Sequence, residues 1–550
     1  MLAAQTPIER LLARATETPD APWLYQSINS EWGAYSYAQV ADQVLRMASA
    51  IKALGIPKGA AIGIGGRNTA HWVMADLAIS AVGCVSVGLY PKQSTEHLQY
   101  ILKHCEAKAV FVGPMIDAQE FMDALPADLL TIGFPYPDAP KCQQDWNALI
   151  EQHGRLDQPT PPGPDELMTL VYTSGTTGYP KGVMLSWRNA EFTINGLLKA
   201  MPPKKEEIFF SYLPLAHMFE RGAVELSSLY LGAKIYFLEH LEKLPEQLAY
   251  VRPTRFFGVP LVYTRIQAGI LRKMPQEKLD KLLRLPVIGG LVKKKIKKAV
   301  GLDRASLIFS GAAPMPTPLL QWFDKLGIQV LQGYGMTENS IYASANLPQA
   351  NRIGSVGREM PGANTKISGD GEILYKHPGV MLGYYKEPEK TKETFTEDGY
   401  LRTGDRGRLD AEGYLYITGR VKDIFKTMKG KYVAPAPIEG ALARNTDIDQ
   451  LCFVGSELKQ PIMLVSLNDA GRLKPRAEIE AALIADMEAV NANLEPHEAI
   501  AKIVVVKEPW TIDNGLMTPT MKVKRPQVEQ RYCDLIRKEG ETRSKVAWEA

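Results

Sequence analysis

The sequence is poor in the residues that staple or anchor a chain. It has five cysteines in 550 residues, Cys84, Cys105, Cys142, Cys452 and Cys533, scattered and never arranged as CxxC. An odd, dispersed set argues against a disulfide framework and a zinc site, and fits a reducing, cytosolic compartment. Charge of one sign is scarce too: 64 basic against 61 acidic residues leave a formal +3, too little for this length to announce a nucleic-acid binder. Long uncharged apolar runs are missing. The nearest, Trp72 to Tyr90, contains Asp76, Gly83 and Gly88 and ends at Pro91, which predicts a buried helix and a buried strand rather than a membrane span. Near the N-terminus, Glu9, Arg10 and Arg14 occupy positions that a signal peptide keeps apolar, which argues against secretion. There is no internal repeat and no low-complexity tract.

What is present is an ordinary globular composition, 45% hydrophobic and 23% charged, at a length beyond the reach of a single core. Short apolar runs (AAIGIGG, AKAVFVG, LMTLVYTSG, RFFGVP, ASLIFSGAA, IQVLQGYG) recur between longer helical patterns, which predicts an α/β fold of mostly parallel sheets covered on both faces. After about residue 350, Gly-bounded alternating segments such as NTKISGDGEILYK and GYLYITGRV predict antiparallel hairpins, a β-rich subdomain of the large N-terminal part. Beyond Gly419 to Asp423, three strand-like segments and the helical EIEAALIADMEAVNANL predict a small α+β C-terminal domain. We therefore expect domains at 1–420 and 421–550, and a polar tail in the last dozen residues.

Directly after LMTLVY comes TSGTTGYPKGVMLS, a small, hydroxylated, Gly-rich stretch from Thr173 to Gly178 that ends in Lys181. Such a loop brings backbone N–H groups close to phosphate oxygens and adds hydroxyl donors and a point charge. It is not a Walker A loop, because Pro180 precedes the lysine and Gly182 follows it. GIGGRN at Gly63 and GYGMTE at Gly333 lack the third glycine of a dinucleotide fingerprint, and neither Ser174 nor Ser310 lies in a GxSxG elbow.

The loop has company. YLPLAHMFE from Tyr212, QGYGMTE from Gln332, YLRTGDRG from Tyr400, GRVKDIFK from Gly419 and TPTMKVKR near the end follow in order. Together with YTSGTTGYPKG they make the chain resemble the adenylate-forming superfamily, in particular its long-chain fatty acyl-CoA synthetase branch. The resemblance implies that a fatty acid is activated with ATP and Mg²⁺ and passed to coenzyme A. By the same resemblance, Thr173, Ser174, Gly175, Thr176, Thr177 and Lys181 hold the phosphates, and Gly311, Ala312 and Ala313 line the adenine. In QGYGMTE, Gln332, Gly333, Tyr334 and Gly335 form the nucleotide wall, Thr337 bonds the α-phosphate and Glu338 holds Mg²⁺. Asp405 takes the ribose hydroxyls, Arg420 adds a ribose or phosphate contact, and Lys422 is the inter-domain hinge. Lys522 is the catalytic lysine, with Lys524 the alternative because Met521 stands where many relatives have glycine. Gly430 lets the pantetheine arm pass, or is a hairpin glycine. His217 borders the acyl carboxylate and gates the thiol, or is structural.

Phe256, Phe257, Val259 and Val262 line an acyl tunnel or simply pack the core. Between residues 291 and 304, Leu291, Val292, Ile296 and Val300 form an apolar stripe among five lysines, either a peripheral membrane contact or a solvated basic helix. Two other functions share these residues: adenylation that loads a carrier-protein thiol or releases acyl-AMP, and nucleotide or lipid binding without catalysis.

Overall fold

The computed structural model describes residues 5–549 apart from 174–178, 205, 314, 429, 457, 519–521 and 543. Two large sheets dominate the N-terminal part. One has eight strands, in spatial order Gly383–Tyr384, Lys181–Ser186, Leu167–Thr173, Val85–Leu89, Ala61–Gly65, Ala109–Val112, Leu130–Gly133 and Gln144–Asp145. The last six run parallel; the first two are antiparallel additions at one edge. The other sheet has nine strands around a parallel run from Pro22–Ile28 through Lys234–Phe237, Ile208–Ser211, Arg255–Gly258 and Leu307–Ser310 to Leu331–Tyr334. Ala61–Gly65, Val85–Leu89 and Leu307–Ser310 are buried at every position, which is why they read as unbroken apolar runs.

Helices fill the space between the sheets. In Ala70–Ala81 every residue but Ser80 is buried, as a helix apolar on all sides must be. The largest core joins Ile62 and Phe111 of one sheet, Phe209 and Ile235 of the other, and Val44 and Trp72 of two helices. Asp76 lies inside this core because the Arg221 guanidinium meets both its carboxylate oxygens, at 2.5 and 3.0 Å. Among the described residues, no helix is long and apolar enough to cross a membrane.

A four-stranded antiparallel sheet follows, Asn364–Ile367, Glu372–Lys376, Leu401–Leu409 and Leu415–Arg420 in spatial order. Then comes a sheet of Ile448–Val454, Ile462–Leu467, Ile503–Val506 and Val546–Trp548, whose two faces carry cores built only from residues beyond 424. Here the structure departs from the expected polar tail. Val546–Trp548 pairs parallel to Ile503–Val506, and the Trp548 indole donates to Glu480 at 2.8 Å. Three residues are too few to show an alternation, so the strand is invisible in sequence.

The stripe in segment 291–304 also divides. Ile296 is buried, and Val292 and Val300 pack on the core that contains Phe256 and Val262; of the four, Leu291 alone is exposed. Most of that stripe mounts the helix Pro286–Ala299 on the protein.

Candidate active site

Thr173 and Lys181 are cross-strand partners at the end of the antiparallel pair Leu167–Thr173 and Lys181–Ser186. The glycine-rich segment therefore joins two paired strands, the second anchored by the buried Val183 and Leu185. Ser174, Gly175, Thr176 and Thr177 lie outside the described residues. The Lys181 ammonium sits 4.9 Å from the centre of the Tyr384 ring. Burial, then Lys390 and Lys422, lower its pKa, while Glu387 and Glu338 oppose them. Several cations thus compete for one space, the condition a polyphosphate relieves.

Tyr384 ties this hairpin to the second sheet. Its hydroxyl donates to Glu338 Oε1 at 2.9 Å, and burial, then the Glu338 charge, raise its own pKa. Glu338 lies in the short turn Thr337–Asn339 just after the strand Leu331–Tyr334, with Thr337 beside it and both buried. The turn is tight: a Cβ on Gly335 would lie 2.3 Å from the Ile341 carbonyl oxygen, so no other residue fits there. Gln332 is buried in the strand opposite Ser310, and Gly333 pairs with Ala345. Gly311, Ala312 and Ala313 follow the neighbouring strand, with Ala312 in the left-handed region at φ 67°.

Asp405 and Arg420 face each other in register across the antiparallel sheet, with Arg420 Nε 3.0 Å from Asp405 Oδ1. The Tyr334 hydroxyl donates to Asp405 Oδ2 at 2.6 Å. One contact on each oxygen still leaves lone pairs for a diol. Lys422 stands two residues on, exposed, in the turn leaving the sheet.

Lys522 reaches this place from the C-terminal part. Its N–H bonds the Thr518 hydroxyl at 3.0 Å and its carbonyl accepts from Thr518 N at 2.8 Å, closing a hairpin that presents the side chain. The residue keeps contact with water while neighbouring groups crowd its side chain. Burial and then Arg420 lower its pKa; Asp405 and Glu338 pull it the other way. Lys524 senses none of these groups. Its charge acts instead on His97, on the helix Thr95–His104.

His217 also feels Lys522. Burial and then the Lys522 charge push its pKa down to about 4, so its ring is neutral at physiological pH. Nδ1 accepts from Phe219 N at 3.0 Å, which puts the proton of the neutral ring on Nε2. The segment presses close to the first sheet, where a Cβ on Gly88 would lie 2.7 Å from Ala216 Cα. Phe257 forms an edge-to-face pair with Phe219 next to it, while Phe256, fully buried, belongs to the core. Gly430 has φ 74° and a Cβ there would meet only Lys426, at 3.7 Å, so conformation rather than crowding calls for glycine.

The arrangement puts Lys181, Arg420 and Lys522 around Glu338 and Asp405, drawn from both large sheets, the antiparallel sheet and the C-terminal part. Two family models match: AMP-binding enzyme over residues 11–385 and AMP-binding enzyme C-terminal domain over 422–540. The chain belongs to the AMP-binding enzyme family. Among curated relatives of this AMP-binding enzyme, the Xenopus laevis long-chain-fatty-acid–CoA ligase ACSBG2 is 32% identical over 92% of this chain and 80% of its own. The Arabidopsis thaliana peroxisomal long chain acyl-CoA synthetase 6 is 31% identical over 92% and 81%. The fold is shared with the adenylation domain of a Mycobacterium chelonae carboxylate reductase, with a TM-score of 0.83, 23% identity, and 98% and 91% of the two chains covered.

The residues fit the ligands of such an enzyme. Glu338 is a buried carboxylate whose hydrogen-bond partner among the described residues is a neutral phenol, which leaves it free to hold a hard cation. No group of three His, Cys, Asp or Glu side chains placed to hold a metal ion is found among the described residues. Motif spacing gave no sign of Tyr384. It lies in GYYK on a two-residue strand, and only pairing with Lys181–Ser186 brings it beside Glu338.

Proposed function

We propose that the enzyme ligates a long-chain fatty acid to coenzyme A in two steps. A carboxylate oxygen attacks the α-phosphorus of ATP, pyrophosphate leaves and acyl-AMP forms; the thiol sulfur of coenzyme A then attacks the acyl carbon, AMP leaves and the thiol proton is released. The carrying observation is the convergence of Lys522, Arg420 and Lys181 on Glu338 and Asp405. Three cations from separate elements, kept near one another by two acids, suit a transition state in which charge moves along a phosphate chain.

Lys522 faces the carboxylate and α-phosphate, with Thr337 a neutral donor to the same phosphate. Thr173 to Thr177 and Lys181 hold the leaving phosphates. Asp405 accepts the ribose hydroxyls, steadied by Arg420 and Tyr334. Gly311, Ala312, Ala313 and the Gln332–Gly335 strand end form the adenine wall. Glu338 would hold Mg²⁺, whose charge would offset that of the phosphates. Neutral His217 gates the acyl carbon by position, since its depressed pKa leaves it a poor proton acceptor. We divide the enzyme at residue 420, with Lys422 as hinge, so that rotation of 421–550 withdraws Lys522 and brings Gly430 to the acyl-AMP.

The location we infer is cytoplasmic, in keeping with five free cysteines, and the basic segment 291–304 contacts an anionic membrane surface peripherally. Coenzyme A-dependent AMP release across acetate, long-chain and aromatic acids tests reaction and specificity together. Release greatest with long-chain acids is expected, and release confined to aromatic acids overturns the substrate. The second reading, loading of a carrier-protein thiol, is favoured by the fold shared with a reductase adenylation domain. Normal acid-dependent ATP–pyrophosphate exchange with no thioester on adding coenzyme A would establish it.

A further inference from the structure

From Arg272 to Arg304 the chain carries eleven basic residues against three acidic ones, a local net charge of +8 on a molecule whose formal total is +3. The rest of the enzyme is net negative. Arg304, at the end of the segment, is paired with Glu206 at 3.5 Å. Among the described residues the five lysines of the helix Pro286–Ala299 have no carboxylate within 4.0 Å. Asp303, itself paired with Arg252, feels one of them, Lys298, from beyond ion-pair distance.

Beside these lysines stands an apolar corner. Where the helix Gln276–Leu283 turns into Pro286–Ala299, Leu285 is 46% exposed, Val287 77%, Ile288 44% and Leu291 64%. These four are contiguous, unlike the scattered single hydrophobes normal on a surface. The corner is firmly mounted. Leu279 and Ile296, one from each helix, are buried in the core that also holds Val262 and Tyr263. Exposure here is built in, and the platform is the one on which the RFFGVP segment sits.

Lysines ringing an apolar tip suit lipid better than protein, because protein interfaces deplete lysine at their cores whereas lysine stems lie along apolar surface with the ammonium held at the headgroups. A second copy would set +8 against +8. We propose that Leu285, Val287, Ile288 and Leu291 insert between the headgroups of an anionic bilayer while the lysines that follow bind the lipid phosphates and carboxylates, so that the enzyme docks by this corner. That docking delivers substrate rests on the fatty-acid reading; the docking itself does not.

Flotation of the full chain with phosphatidylcholine vesicles, with and without phosphatidylserine, tests this. The enzyme should float with the anionic vesicles alone, less so at high salt. Lys293→Gln/Lys294→Gln/Lys295→Gln should weaken binding on the order of a hundredfold. Val287→Ser/Leu291→Ser should weaken it about tenfold or more. Both variants should keep the urea midpoint and the vesicle-free rate of AMP release from a soluble medium-chain acid. Equal flotation with neutral vesicles, undiminished binding of the serine variant, or a dimer that this variant dissociates each overturns the docking site. AMP release without vesicle binding sinks the docking alone; vesicle binding with no AMP release from any acid sinks the ligase reading and leaves the docking intact.

Discussion

Two clusters of acids and cations in this enzyme are built on opposite terms. Around Glu338 and Asp405 the cations Lys181, Arg420 and Lys522 come from distant parts of the chain, and Lys522 keeps contact with water. Around Asp76 the charges are sealed. Arg221 meets both Asp76 oxygens and also donates to Thr169 and Ser86 at 2.6 Å. Glu220 accepts from the Ser211 hydroxyl at 2.6 Å, and burial pushes its pKa up to about 8. Glu225, inside a π-helical turn, is buried against Asp76, and burial, then the Asp76 charge, drive its pKa well above the carboxylate range. The first cluster is open to water and carries more than one cation around each acid. The second is sealed, and burial keeps protons on the acids that no cation pairs with.

The contrast can be broken most forcefully at Arg221. Arg221→Met strands the Asp76 charge in the core and should cost about 3–5 kcal/mol of stability, read as a fall in the urea midpoint. A midpoint near that of the unaltered enzyme would mean Asp76 is not held by this pair. Next comes Lys522→Ala, which should slow acid-dependent ATP–pyrophosphate exchange on the order of a hundredfold to a thousandfold. Thioester formation from supplied acyl-AMP should persist, and Lys524→Ala should leave exchange nearly intact. Equal loss in both half-reactions would remove Lys522 from the chemistry.

Tyr384→Phe keeps the ring under Lys181 and deletes the bond to Glu338. We expect about tenfold more Mg²⁺ to reach half-maximal exchange, with thermal stability and the KM for fatty acid unchanged. An unchanged Mg²⁺ requirement would make the tyrosine a packing residue only. The smallest effect sharpens the contrast best. Glu225→Gln swaps a protonated acid for a near-isostere and should shift stability by about 1 kcal/mol or less. The same swap at Glu338 should all but abolish exchange while leaving the urea midpoint in place.

Sequence carried the fold far, for a physical reason. Parallel strands covered on both faces become uninterrupted apolar runs, as at Ala61–Gly65, and hairpins become alternation bounded by glycine, as around Glu372–Lys376. Val546–Trp548 escaped because its pairing is too short to leave a period. At the site, residues in compact motifs were legible, whereas Tyr384 was not, since its role comes from a neighbour 46 positions away. Motif register favoured Lys522 over Lys524, but which groups surround each lysine is not written in the motif. YLPLAHMFE was legible as a motif, but the burial of its Glu220 was not; charge in a sequence says nothing about access to water.

The register that pairs Thr173 with Lys181 has a consequence for how this sequence can vary. Val183 and Leu185 face the core from the strand after the loop, and sliding that strand by one residue would turn both outward. An insertion or deletion between the two posts is therefore not shared with the strands and falls wholly on the loop.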